Sequence, residues 1–209
     1  HGPRLGFGAS GASGNAGELV YTNKDDFAKY YPWLLTYGYT TAYECMGLMG
    51  DPNVPQHLKR SYFAAHAYNQ RVRFQPNPAY HELFKGLKGK NTFVYTSNVD
   101  GCFERAGFDK EYTPQGDWQY MQCCQPCTRD SWWRVDLTPL VAPTKDLPTC
   151  PRCGRPAMGN VRGGSWFLHG PHDADQDRFL EWIESVDNLV VIEIGVGFNT
   201  PSVTRWPME

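Results

Sequence analysis

Five of the seven cysteines in this 209-residue sequence fall in one stretch, Cys123, Cys124, Cys127, Cys150 and Cys153, while Cys45 and Cys102 stand apart. Cys124-x2-Cys127, then 22 residues, then Cys150-x2-Cys153 offers four thiolates in two knuckles. That set suits tetrahedral Zn2+ with no open coordination position, hence a structural role. Cys123 is as well spaced as Cys124, and the spacing leaves the choice open. An odd count in knuckles makes a poor disulfide framework and favours a reducing compartment inside the cell, the cytoplasm or the mitochondrial matrix. A second group is GFGASGASG at 6–14, four glycines in nine positions, where backbone amides can approach a phosphate without Cβ obstruction. Gly6-x-Gly8-x-x-Gly11 also fits the dinucleotide fingerprint, with Asp25 or Asp26 about 20 residues on to meet a ribose hydroxyl. Against it, Gly14-Asn15-Ala16-Gly17 starts a helix poorly. The third group is polar: Asn98 and Asp100 follow an apolar run, and Gln115-Gly116 follows a proline turn that can approach the same cleft.

The elements that position these groups alternate. Residues 24–49 mix aromatics with Pro32 and Gly38, as short helices broken by turns would. Residues 55–73 place Leu58, Tyr62, Ala65 and Val72 at helical spacing with Pro55 in the first turn. Asn77-Pro78 caps a helix running towards Gly86. Residues 91–97 (NTFVYTS) are β-branched and aromatic, a strand that delivers Asn98 and Asp100 at its carboxyl end, where α/β sheets bind ligands. A turn-rich segment from 112 to about 165 holds the knuckles. A capping box at 173–176 opens a helix through Phe179, Leu180, Ile183 and Val186, and 189–194 reads as a buried strand ending in Gly195-Val196-Gly197. The pattern is α/β: a Rossmann-like parallel sheet with an inserted zinc-binding module and a small helical segment. One domain covers 1–209. Its Rossmann-like part is 1–115 and 166–209, with a helical insertion at 21–76, and the zinc-binding module is 116–165.

Composition narrows the classes. Charges sum to −2, so nothing global draws the chain to nucleic acid or anionic lipid. Arg129, Arg134, Lys145, Arg152, Arg155 and Arg162 outnumber Asp130, Asp136 and Asp146 around the knuckles, but bracing a fold is the commoner use of such a module, and no nucleic-acid partner is expected. Mean hydropathy is −0.54 and the longest apolar stretch, 189–198, is interrupted by Glu193, far below the ~20 residues of a spanning helix; no membrane association is expected. No signal peptide is visible, and Leu5 alone precedes Gly6 as strand-forming residue, so the natural N-terminus is expected to be missing or joined to unrelated residues.

Taken in order, the pieces resemble the sirtuins. GFGASGASG is similar to the family's GAGxSxxSG; Asn77-x-x-x-His81-x-Leu83 is similar to a later helix. Residues 96–107 (TSNVDGCFERAG) resemble TQNIDGLHERAG, and two knuckles and a late Gly-x-Gly turn follow. The resemblance implies NAD as cofactor, contacted by Gly6, Gly8, Ala9, Ser10, Gly14, Ser97, Asn98, Asp100, Gln115, Gly195, Gly197 and Asn199, with Asn98, Asp100 and Gln115 as the catalytic set. It implies cleavage of the nicotinamide–ribose bond, which needs placed polar groups rather than a strong nucleophile.

Three departures matter. Gln115-Gly116 replaces the family's His-Gly, Ser97 replaces Gln, and Gly195-Val196-Gly197-Phe198-Asn199 replaces the late GTS turn. These resemble the macrodomain-linked class M branch, associated with protein ADP-ribosylation. A neutral amide cannot be the base that deacylation asks of the histidine. The expectation is an NAD-dependent protein ADP-ribosyltransferase. Class M relatives suggest a lipoylated carrier related to the glycine-cleavage H protein as acceptor and a macrodomain hydrolase as functional partner. A weak deacylase and a non-catalytic NAD or ADP-ribose sensor are the alternatives. His169 and His172 are expected to be exposed loop residues, Cys102 buried and inert, and Trp132, Trp133, Trp166 and Phe167 packing residues of the zinc module.

Overall fold

The computed structural model describes residues 22–140 and 147–194. Helix α1, Lys24–Tyr30, starts where Asn23 Oδ1 accepts from the Asp26 amide at 3.0 Å, with Asp25 and Asp26 in its first turn. Two 3-10 turns follow, Pro32–Tyr37 and Glu44–Gly50. Helix α2, Gln56–Tyr68, takes Pro55 as its N-cap and runs into a π-helical turn, Asn69–Arg73. Helix α3, Pro78–Leu87, is capped by Asn77 Oδ1 on the Ala79 amide at 2.9 Å. These elements answer the expectation for 24–87, with the last turn before Phe74 wound wider than an α-helix.

Strand β1, Val94–Tyr95, is shorter than the apolar run that announced it, and helix α4, Cys102–Ala106, follows. Strand β2, Glu111–Tyr112, pairs parallel with β1, Val94 opposite Glu111 and Tyr95 opposite Tyr112. Three antiparallel strands come next, β3 Gly116–Cys123, β4 Trp132–Arg134 and β5 Ala157–Val161, in the order β4-β3-β5. Helix α5, Asp173–Glu184, is the last helix or strand among the described residues. Its N-cap is His172, with no side-chain cap; Asp173, read as the capping residue, lies inside the first turn and bonds His169 instead.

Helix α2 is the rod about which two cores form. Tyr62 and Ala65 face Phe27, Tyr31, Leu34, Cys45 and Leu48. Ala64 and Ala67 face Val99, Trp118, Met121 and Ala157. The alanines let the helix lie close to the three-stranded sheet, and each large apolar side chain so buried contributes about 1.5–3 kcal/mol. The first core also holds polar groups: Tyr31 Oη lies 2.9 Å from His66 Nδ1, Asn69 Nδ2 donates to Tyr31 Oη at 3.1 Å, and burial pushes the imidazole down to about 3, keeping it neutral.

Residues 189–194 correct one expectation. They form no strand, and Leu189, Val190, Val191 and Ile192 are exposed. A strand needs a hydrogen-bonded neighbour, and the described residues place none beside this run; it lines a 120 Å³ cavity with Phe93, Phe179 and Trp182 instead. No helix among the described residues is long and apolar enough to cross a membrane.

Candidate functional site

Because β1 and β2 are parallel, both carboxyl ends open on the same edge. From β1 the chain runs through half-buried Ser97 and Asn98 to buried Asp100; from β2 it runs through Thr113 and Pro114 to half-buried Gln115. The Trp118 amide donates to the Val99 carbonyl at 3.0 Å and ties the two turns together. The structure thus brings Ser97, Asn98, Asp100 and Gln115 to one end of the sheet. Gly6, Gly8, Ala9, Ser10, Gly14, Gly195, Gly197 and Asn199 lie outside the described residues. Asp25 and Asp26 serve the first turn of α1.

Asp100 is 1% exposed. Its Oδ1 accepts from the Cys102 amide at 2.8 Å, and its Oδ2 is buried with no hydrogen-bond partner among the described residues. Burial pushes the carboxyl up, while the Cys102 amide, Arg105 and Arg71 pull it back. An orphaned buried acceptor is costly, so this oxygen marks a place for a donor. Asn98 is set by its own amide on Thr96 Oγ1 at 3.1 Å, and its Nδ2 reaches Tyr80 Oη at 3.5 Å. Cys102 is buried and its thiol pushed far up by that burial, the inert state expected of it.

Gln115 is held by a residue that sequence reasoning placed only among the module's basic groups. The Arg162 amide donates to the Gln115 carbonyl at 2.8 Å, Arg162 Nε to the Pro114 carbonyl at 3.1 Å, and its guanidinium lies 4.5 Å from the Phe167 ring centroid. The next residue, Gly116, has φ 93, and a Cβ there would lie 2.2 Å from the Asn160 carbonyl oxygen. Only glycine fits the turn.

Neither histidine of the FLHGPHD segment is simply exposed. His172 is buried; its Nε2 lies 2.7 Å from Asn160 Oδ1 and its Nδ1 3.3 Å from Thr113 Oγ1. Asn160 Oδ1 only accepts, so Nε2 carries the hydrogen and Nδ1 accepts. Burial pushes the ring down to about 4. Asn160 Nδ2 in turn donates to Gln122 Oε1 and the Leu168 carbonyl, both at 2.8 Å, and Gln122 Nε2 to the Trp166 carbonyl at 2.9 Å. This network fastens the three-stranded sheet to the segment before α5. His169 is half-buried, with Nδ1 2.5 Å from Asp173 Oδ1 and Nε2 3.1 Å from Tyr112 Oη. Trp133 packs on the second core, and Trp132 and Trp166 lie against Gly170 and Gly164, as expected of packing residues.

The metal-ligand set is corrected in one position. Cys123, Cys127, Cys150 and Cys153 lie with their sulfurs within 4.8 Å of one another, and Cys124 is not in the group. Adjacent residues of an extended chain face opposite ways, and it is Cys123, the last residue of β3, that faces the knuckles. The Cys124 amide is spent on the Pro156 carbonyl at 3.0 Å. Cys123 Sγ is 3.6 Å from Cys153 Sγ, and Cys127 Sγ is 3.9 Å from Cys150 Sγ. A zinc ion with 2.3 Å bonds to four sulfurs requires edges of about 3.8 Å, so the donors fit. Burial opposes thiolate at Cys150, yet the backbone N–H groups of Arg152 and Cys153 hold that thiol down to about 7.

No family model matches the chain. It is 35% identical over 227 residues, 98% of its own length, to a probable bifunctional ADP-ribose hydrolase/ADP-ribosyltransferase of Fusarium oxysporum f. sp. cubense, of which it covers 36%. It is 26% identical over 137 residues, 59% of its length, to a protein ADP-ribosyltransferase of Staphylococcus aureus, of which it covers 44%. The chain therefore spans less than half the length of these curated relatives. Among solved structures it is similar to a Sir2 homolog–NAD complex, with TM-score 0.52 and 21% identity over 85% of this chain and 62% of that one. The likeness shows a Sir2-type α/β fold, and the chain carries a four-cysteine cluster able to hold zinc. Its curated relatives carry ADP-ribosyltransferase names.

Proposed function

We propose that this chain is an NAD-dependent protein ADP-ribosyltransferase of sirtuin type. One observation carries the reading. Asp100, buried and with an unpaired Oδ2, stands at the end of β1, and a neutral Gln115 stands at the end of the neighbouring β2. Bound NAD would supply the ADP-ribosyl group, with nicotinamide as leaving group. Asp100 Oδ2 is an acceptor suited to a carboxamide N–H, which nicotinamide has. Asn98 and Gln115, each with an amide donor and acceptor, are suited to ribose hydroxyls. Ser97 joins them, and Gly6, Gly8, Ala9, Ser10, Gly14, Gly195, Gly197 and Asn199 complete the proposed NAD contacts. Zinc held by Cys123, Cys127, Cys150 and Cys153 would brace the three-stranded sheet that carries Gly116 and Asn160.

Gln115 cannot take a proton at neutral pH, and losing a general base costs about 10²–10⁴ in rate, or roughly 3–5 kcal/mol. That disfavours deacylation and leaves direct transfer to an acceptor side chain. The ADP-ribosyltransferase names of the relatives support this choice. The finer reading is a lipoylated carrier of glycine-cleavage H type as acceptor, with a macrodomain hydrolase as partner; the Fusarium relative's pairing of hydrolase and transferase in one name supports a hydrolase nearby. Four clustered thiols suit an intracellular, reducing compartment. We assign 116–165 to the zinc module and 1–115 with 166–209 to the NAD-binding part.

The test is one incubation of the zinc-loaded chain with NAD, a lipoylated carrier and an acetyl-lysine peptide, read by intact mass and free nicotinamide. An ADP-ribose adduct on the carrier, lost with Asn98→Ala, supports the reading. Deacylated peptide would favour the weak deacylase, with some other group in place of the missing histidine. Binding of NAD without nicotinamide release would favour a sensor.

A further inference from the structure

Two arginines tie the turn that carries Asn98 and Asp100 to the end of the long helix, and the proposed chemistry gives neither a part. Helix α2 runs into the π-helical turn Asn69–Arg73, where the Phe74 amide donates to the Asn69 carbonyl at 2.9 Å, a winding that recurs at functional sites. The Gln70 and Phe74 carbonyls at this helix end are met by a side chain from α4. Arg105 donates Nη1 to the Phe74 carbonyl at 2.6 Å and Nη2 to the Gln70 carbonyl at 3.3 Å. The same Nη2 donates to the Asp100 carbonyl at 3.2 Å, and Nε to the Gly101 carbonyl at 3.4 Å. Arg71 reaches back from the π-helical turn. Its Nη2 donates to Glu104 Oε2 at 2.8 Å, and its Nη1 fills the space a side chain at Gly101 would need, since a Cβ there would lie 1.0 Å from it.

We propose that Arg105 is the positioning residue for Asp100: it fastens the peptide after Asp100 to the last turn of the helical segment and so fixes where the unpaired Oδ2 points. The inference rests on the reading of Asp100 as an NAD contact. Asp100 Oδ1 is already held by the Cys102 amide at 2.8 Å, a group of the same turn, so Oδ2 is aimed only as firmly as that turn is held. Gly101 follows at φ 63, with the backbone freedom of a glycine to be restrained. A guanidinium suits the task, because its planar fork meets the Phe74, Gln70, Asp100 and Gly101 carbonyls from one rigid plane, which an ammonium cannot do. At a reacting centre a misplacement of about 1 Å can cost about 10²-fold in rate, so loosening this tie shows in turnover before it shows in binding.

The experiment is a double-mutant cycle in the zinc-loaded chain: wild type, Arg105→Gln, Asp100→Asn and the two together, with Arg105→Lys beside them. Each is read by kcat and KM of nicotinamide release and by amide exchange at Cys102. Arg105→Gln is expected to lower kcat by about 10-fold or more with KM for NAD little changed, and Arg105→Lys to regain part of the loss. In the Asp100→Asn background Arg105→Gln is expected to cost nothing further, because its effect passes through Asp100. Losses that multiply in the double variant, or an unmoved kcat in folded Arg105→Gln, would overturn the proposal. Should Arg105→Gln not fold, Arg105→Lys takes its place in the cycle under the same criteria. Suppose wild type releases no nicotinamide, yet the Cys102 amide exchanges about 10-fold faster in Arg105→Gln while β3 keeps its protection. That removes the NAD reading and leaves Arg105 as the tie on the turn. Release by wild type, with kcat and Cys102 exchange both indifferent to Arg105, does the reverse.

Discussion

At Asp100 the cost of burying a carboxylate and the usefulness of an unpaired oxygen meet in one side chain. Asp100→Asn keeps the shape and puts an amide donor where the unpaired Oδ2 accepts, and is expected to lower nicotinamide release by ~10²-fold or more with little change in melting temperature. Equal release by wild type and variant would contradict the role given to it. Gly101→Ala tests the turn itself: at φ 63 its Cβ would meet Arg71 Nη1. A loss of about 1–3 kcal/mol in unfolding free energy is expected, measurable by urea titration. Asn98 and Asp100 were legible because short polar residues after an apolar run mark a strand's ligand-bearing end, and Gln115 because it follows a proline turn. Arg71 and Arg162 were not. Their partners lie 33 and 48 residues away along the chain, and no local pattern announces so distant a contact.

The elements tell a similar story with the metal knuckles. Knuckle spacing announced four thiolates, but the choice between Cys123 and Cys124 depends on which face the last residue of β3 presents, and that is set by pairing with β4 and β5. Cys123→Ser is therefore expected to lose most bound zinc and lower the melting temperature, whereas Cys124→Ser keeps one zinc per chain by elemental analysis. The reverse result would restore Cys124 to the set. Removing zinc with a chelator is expected to loosen the Gln122–Asn160–His172 network, seen as faster amide exchange in β5, because that network hangs from the same three strands. The caps of α1 and α3 were readable from Asn23 and Asn77-Pro78 by local chemistry alone. The apolar run at 189–194 misled, since continuous hydrophobicity specifies burial only when a neighbouring strand is there to accept it.

Across the whole molecule, buried titratable groups pull stability in opposite directions with pH. His66 and His172 are neutral when folded, pushed down to about 3 and about 4, and take up protons when unfolded below about pH 6.5. The unfolded chain then binds more protons, so stability falls as pH falls from about 6.5 towards 4. Glu111 acts the other way: unfolded it ionises above about 4.3, folded it keeps its proton to about 8, so it lowers stability as pH rises through that window. Urea titrations from pH 6.5 to 8 should show a decline that Glu111→Gln flattens; an equal slope in both would exclude the buried, protonated carboxyl. The α/β alternation around Asn98 was readable from 77–112, where helix, strand and turn follow in order. The two-core arrangement about α2 was not, because its alanines look alike on both faces of the helix.

On the reading proposed above, these residues move ADP-ribose from NAD to a protein side chain. Its most direct test is the ratio of nicotinamide released to ADP-ribose gained by an acceptor protein, followed in one reaction of the zinc-loaded chain. Transfer predicts that the two rise together, one for one, and that Asn98→Ala abolishes both. Nicotinamide released alongside deacylated peptide, with no mass added to any protein, would contradict it.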